Sequence, residues 1–279
     1  MAAIPSRQIG WNTESNLLWQ IAKQIQYLTQ VTASSSGGPA GPFKYNTNAT
    51  GIEPCLGTNV ASGTNATIGG GVNNCASNIY ATIGGGRYNT ASNAYSTIGG
   101  GRQNIASEYS STIGGGKTNT ASGYISTIGG GSQNTASGYI STISGGRCNT
   151  ASGLKSTVGG GYYNTASNTY STIGGGQSNT ASNCFATIGG GASNTASGNY
   201  STISGGSQNT ASGNYSGILA GRANSTNTCD CAMIVGSNIT ADRVCATFVN
   251  NLSIKNIPTS SAGLPSGSVW KNGAVLNIV

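Results

Sequence analysis

The closest pair of reactive side chains in this sequence is Cys229 and Cys231, in the run Thr-Cys-Asp-Cys-Ala. Two thiols one residue apart can bind a soft metal when further Cys or His ligands complete the shell. The 279 residues include no histidine, and Cys55, Cys75, Cys148 and Cys184 share no repeat position. Free, buried thiols are therefore the expected state, and a reducing cytosol would suit their folding. Acid–base chemistry has equally little to work with. Cleavage of a glycoside needs two carboxyl groups flanking one bond, and Glu53, Glu108, Asp230 and Asp242 occupy no common register. No catalytic residue, cofactor or metal ligand is assigned, and enzyme activity is not expected.

The charges that do share a register are cations. Arg87, Arg102, Lys117, Arg147 and Arg222 fall at one repeat position in a chain of net charge +7. Such an interrupted stripe is either a solvated face or a contact for anionic glycans. Charged residues make up only 6% of the chain and form no dense basic run, so no nucleic-acid partner is expected. No apolar run reaches the roughly 18 residues of a membrane span, and no membrane insertion is expected. The opening MAAIPSRQIGWNTESN has one Arg and no apolar run, so no secretory leader is expected there either.

The elements that carry these residues are set by a period. Thr67-Ile68 returns as Thr82-Ile83, Thr97-Ile98, Thr112-Ile113 and Thr127-Ile128, and the series runs on to a degenerate Gly217-Ile218, every step fifteen residues. Asn occupies a second register: Asn74, Asn89, Asn104, Asn119, Asn134, Asn149, Asn164, Asn179, Asn194 and Asn209, with Asn59 and Asn224 at the ends. One repeat reads T-I-G-G-G-x-x-N-T-A-S-G-x-Y-S. Fifteen residues are too few for a helical hairpin, and its Gly-rich and Asn-Thr elements oppose helix. They suffice for one turn of a parallel β-solenoid or β-roll with two short strands and two bends. In Ser-Thr-Ile the Ser and Ile should face inward and the Thr outward, with the Ala of Asn-Thr-Ala also inward. The Asn could take a left-handed conformation or bond to its neighbours as an internal ladder. Its recurrence at twelve sites, beside a position that varies from Gln133 to Thr118, Cys148 and Tyr163, makes interior or corner residues with coil-to-coil side-chain bonds the expectation. About eleven coils at roughly 4.8 Å spacing would make a rod of about 50 Å.

An interior of one Ile and one Ala per coil is thin, so lateral contacts between chains are expected to bury more. Tyr80, Tyr95, Ile125, Ile140, Tyr170, Phe185, Tyr200 and Tyr215 offer the surface, while Tyr109, Tyr124 and Tyr139 sit one residue earlier. On a strand that shift would turn them to the opposite face.

The ends follow other rules. In the segment from Asn16 to Val31, Leu18, Ile21, Ile25 and Leu28 alternate steps of three and four, a short heptad seam of the kind that favours trimers. The C-terminal stretch is richer in β-formers, and its last eleven residues read as a hairpin turning at Asn272-Gly273. The organisation expected is all-β: an N-terminal helical attachment segment (1–33), a linker (34–51), a β-solenoid repeat domain (52–226) and a C-terminal β capping module (227–279).

The NTASGxYSTIGGG phrase, carried for example by Asn74, Ala76, Ser77, Thr82-Ile83 and Gly84-Gly85-Gly86, resembles the head repeats of trimeric autotransporter adhesins and related repeats of viral and phage fibre proteins. The opening IPSRQIGWNTESNLLWQIAKQI and the closing TFVNNLSIKNIPTSSAGLPSGSVWKNGAVLNIV are similar to the viral class. The resemblance implies a left-handed β-roll, three identical chains about one axis, and a role in attachment. With no leader or membrane anchor expected, it points to a structural fibre or spike of a virus or phage, made in the host cytoplasm and carried on the virion. Its N-terminal region would contact other virion structural proteins, and a host-surface glycan would be the distal partner. An ice-binding solenoid displaying Thr67, Thr82, Thr97 and Thr112, or a non-viral structural filament, is the alternative.

Overall fold

The computed structural model describes residues 43–45, 52–54, 58–252, 257–266, 268–272 and 275–278. The seam residues Leu18, Ile21, Ile25 and Leu28, with the whole expected helix, lie outside the described residues. The described chain is an all-β parallel solenoid of about thirteen turns.

Each coil is built from two-residue strands. Those of Thr-Ile type, such as Thr97–Ile98 and Thr112–Ile113, pair in parallel with Thr on Thr and Ile on Ile. Those of Thr-Ala type, such as Thr120–Ala121 and Thr135–Ala136, do the same on a second face. A third file of single residues, from Val72 through Arg87, Arg102 and Lys117 to Arg222, also pairs in parallel. The coil thus has three stacking files, where two strands and two bends were expected. The third is only one residue wide, so no alternation pattern announces it.

Pointing alternates as strand geometry requires. Ile98, Ala106, Ile113, Ala121 and Ser111 are fully buried, while Thr97, Thr112 and Thr120 remain half-buried on the outside. The interior is accordingly a column of Ile, a column of Ala, a column of Ser or Ala, and a column of Asn. Backbone pairing carries the rest. Thr97, Gly99, Arg102 and Ile105 each donate an N–H to the next coil at 2.9 Å.

Two residues per coil reverse that direction. Gln103 donates its N–H to Arg87 O at 2.9 Å, and Ser110 to Ala94 O at 3.0 Å, both toward the preceding coil. Both sit in the left-handed region, at φ 57° and 52°. The same pair of corners recurs along the stack on Tyr, Thr, Gln, Cys, Ile and Lys as readily as on Asn. L-residues there cost roughly 1–2 kcal/mol each, and the flipped peptide gains a coil-to-coil bond in return.

The ladder outruns the sequence period. Gly217 pairs with Met233, and Met233 with Thr247, so the parallel sheet continues through Met233–Val235 and Thr247–Val249. The boundary expected at 226 falls inside it. The steps are sixteen and then fourteen residues, together two ordinary coils. At the other edge Phe43–Tyr45, within the expected linker, pairs antiparallel with Ile52–Pro54 and gives the first parallel strand a partner. That placement occupies an edge that would otherwise invite a foreign strand. The C-terminal hairpin joins Val269–Asn272 to Val275–Ile278 with Asn272 opposite Val275, so Asn272 is the last paired residue before the turn.

Candidate interaction surfaces

The recurring asparagines lie inside the coil. Asn134 is fully buried, and its Oδ1 accepts the Asn149 N–H at 3.0 Å and the Asn149 Nδ2 at 3.2 Å. Its own N–H donates to Asn119 Oδ1 at 3.0 Å, and its Nδ2 donates to Gly130 O at 3.1 Å and Gly146 O at 2.9 Å. Asn74, Asn89, Asn104, Asn119, Asn149, Asn164, Asn179, Asn194 and Asn209 repeat the arrangement. None of these asparagines is in the left-handed region. Their work is to supply an acceptor to the backbone where the chain leaves one file for another.

The third glycine of each Gly-Gly-Gly makes that possible. Gly131 has φ 89°, and a Cβ placed there would stand 2.1 Å from Gly146 O and 2.8 Å from Asn134 Nδ2. Gly130 beside it has open space.

The outer surface carries four files of side chains. The first is aromatic. Tyr80, Tyr95, Tyr109, Tyr124 and Tyr139 form one run of exposed rings, with centroids 5.0–5.4 Å apart. Tyr170, Phe185, Tyr200 and Tyr215 form a second, 4.7–5.0 Å apart and within 8° of parallel. The step from Tyr95 to Tyr109 does not break the file, because both residues belong to a turn whose two central side chains project outward. Ile125 is exposed there beside Tyr124. Leu154 and Lys155 separate the runs. The Lys155 Nζ donates to Tyr170 Oη at 3.0 Å and lies 5.1 Å from that ring's centre, and this bond holds its pKa above the ordinary lysine value.

The second file holds the cations. Arg87, Arg102 and Lys117 stand on three successive coils, with Arg147 and Arg222 further along. The ion pair recorded among the described residues joins Arg243 to Asp242 at 2.9 Å, so this file has no acid partner there. Arg87 lies 4.8 Å over the Tyr88 ring, and its hydrogen bond and charge lower the Tyr88 phenol pKa. The third and fourth files are mostly outward threonines, one file on each strand face, with Val60, Cys75 and Ile105 taking the place of Thr on the Ala face.

Glu108 and Asp230 are not brought together. Glu108 precedes the strand at Thr112 and Asp230 precedes that at Met233, eight coil steps or roughly 40 Å apart. Among the described residues no group of three or more His, Cys, Asp or Glu could hold a metal ion. The cysteines are free, as expected for the described ones, but they are not buried: Cys75, Cys148, Cys184 and Cys229 are half-exposed, and Cys231 and Cys245 fully at the surface. The reason is position, since Cys148, Cys231 and Cys245 all occupy left-handed corners whose side chains point out. No helix among the described residues is long and apolar enough to cross a membrane. No protein-family model and no curated protein matches the chain; what its described residues show is a fifteen-residue-repeat parallel β-solenoid.

Proposed function

We propose that this chain is a structural fibre or spike subunit of a virus or phage, assembled as a homotrimer and used to reach a host surface. The observation that carries the reading is the file of exposed aromatic rings along a rod with a thin interior. A row of half-exposed rings at coil spacing is a large apolar ridge, and ridges of this extent on soluble proteins are generally covered by a partner. A second and third copy offer the same period and so stay in register with it over its length. The seam of Leu18, Ile21, Ile25 and Leu28 would start that association, and the N-terminal region would dock on other virion structural proteins. The cationic file, free of acid partners among the described residues, suits an anionic host-surface glycan. In this reading the chain has no enzymatic role, and is made in the host cytoplasm and displayed on the virion.

Light scattering at micromolar concentration tests the reading directly. A trimer mass is expected; a monomer mass would overturn it. Immunogold labelling of virions and a glycan array then locate the protein and its ligand.

One observation favours ice binding as a second reading: the threonine file is in register from Thr67 to Thr202. Against it, the file is one Thr wide and the aromatic ridge stands beside it, so a flat two-dimensional lattice is lacking. Thermal hysteresis in a protein that remains monomeric would select this alternative.

A further inference from the structure

The last two coils bring two cysteines to one corner. Tyr200 donates its N–H to Cys184 O, Tyr215 to Asn199 O, Cys231 to Asn214 O and Cys245 to Asp230 O, at 2.8–3.0 Å. These four residues are therefore successive members of one file, the corner that elsewhere carries the aromatic ridge. Their φ values, 55°, 54°, 56° and 51°, launch the side chains in the same direction. Tyr200 and Tyr215 show what that direction means for neighbours: their rings lie parallel within 4° at 5.0 Å. Cys231 and Cys245 are the next two, both exposed and both free thiols.

Sequence spacing hides this pairing. The step from Tyr215 to Cys231 is sixteen residues and that to Cys245 fourteen, so a fixed-period reading sets the two thiols out of register. The long coil followed by the short one restores it.

We propose that Cys231 and Cys245 are a site of oxidative modification, closing a disulfide between adjacent coils when the chain meets an oxidising medium. Coil spacing of roughly 4.8 Å lies inside the Cα–Cα range of disulfides, about 4.4–6.8 Å. The neighbouring Cys245, with partial desolvation and the charge of Asp230, holds the Cys231 proton more tightly than usual. The oxidant is a small disulfide such as oxidised glutathione. The Cys245 thiolate attacks one of its sulfurs, forming a mixed disulfide and releasing one glutathione thiolate. Cys231 then loses its proton to solvent and attacks the Cys245 sulfur, expelling the second glutathione thiolate. Two protein thiols become one protein disulfide, and one glutathione disulfide becomes two thiols. Side chains launched in parallel must lean together to bond, so the link is expected to open again in a cytosolic glutathione buffer. The device would staple the end of the ladder after the chain leaves a reducing compartment, whatever the rod is used for.

The test is a redox titration of the full-length chain in glutathione buffers, followed by alkylation, trypsin digestion and mass spectrometry. Trypsin separates 223–243, which carries Cys229 and Cys231, from 244–255, which carries Cys245. The expected product is these two peptides joined, with fragmentation placing the bond on Cys231, and Cys229→Ser leaving the yield unchanged. Cys231→Ser and Cys245→Ser should each abolish the link and leave the remaining thiol as a glutathione adduct. Glutathione adducts on both residues of the wild-type chain with no joined peptide, or a link to Cys229, would overturn the proposal. The wild-type titration decides the matter even if a serine variant fails to fold.

Discussion

Replacing Asn134 by Ala should destabilise the solenoid by about 2–4 kcal/mol, and the figure follows from what is left behind. The buried Asn149 N–H loses its acceptor, Asn134 Oδ1 at 3.0 Å. A buried donor left unpaired costs roughly 1–3 kcal/mol. Gly130 O and Gly146 O each lose the Nδ2 donor, but Gly146 O keeps the Ser132 N–H at 2.9 Å, so together they add about 1 kcal/mol. The adjoining residue gives the opposite sign. Gln133 is exposed and sits at φ 58°, so Gln133→Gly relieves left-handed strain and should stabilise by up to about 1 kcal/mol. Guanidinium unfolding of both variants, followed by circular dichroism, measures the signs. Because coils can open separately, amide exchange at Asn149 provides a local reading, with protection expected to fall sharply in Asn134→Ala alone. Unchanged stability and unchanged Asn149 protection in Asn134→Ala would refute the internal ladder as a source of stability.

Three further outcomes are expected. Gly130→Ala should change stability by less than about 0.5 kcal/mol, as open space and the natural Ala220 in the same place suggest, while Gly131→Ala should cost about 3 kcal/mol or more; equal thermal melts would contradict this. Deleting the fifteen residues from Thr97 to Ser111 should remove one coil and leave a protease-resistant rod, whereas deleting a single residue among them should expose the chain to proteolysis by breaking register in all three files. In an ultraviolet titration Tyr88 should ionise below the ordinary tyrosine pKa and move up toward it in Arg87→Gln; since the folded chain favours the ionised form, the contribution of this pair to stability is present above the ordinary tyrosine pKa and is lost as the pH falls.

The period, the inward Ile and Ala, and the outward Thr were legible because strand alternation acts on single residues and repeats without insertion. The asparagine ladder was legible too, because an Asn that recurs strictly beside a freely varying Gln133, Thr118 or Cys148 points to side chains bonding from coil to coil. The corner lies one residue earlier, on Tyr88, Gln103, Thr118, Gln133 and Cys148, side chains with no left-handed preference to betray it. The backbone imposes φ there to turn an N–H around, and sequence composition carries no trace of that. The continuity of the aromatic ridge past Tyr95 is hidden for a related reason: on a strand the one-residue shift to Tyr109 would reverse the facing, whereas both residues lie in turns. The last two coils escaped because a sixteen-residue step cancels a fourteen-residue one, a compensation visible only once the strands are paired.

The direction of the coil-to-coil hydrogen bonds also determines how the rod answers force. They run along the stacking axis, so a pull on its two ends loads every coil interface in series and the weakest one yields first. One freed coil of fifteen residues gives up about 4.8 Å of rod and releases about 50 Å of extended chain. Tension is thereby converted into stepwise lengthening, coil by coil, and the rest of the stack stays intact while a single turn unwinds.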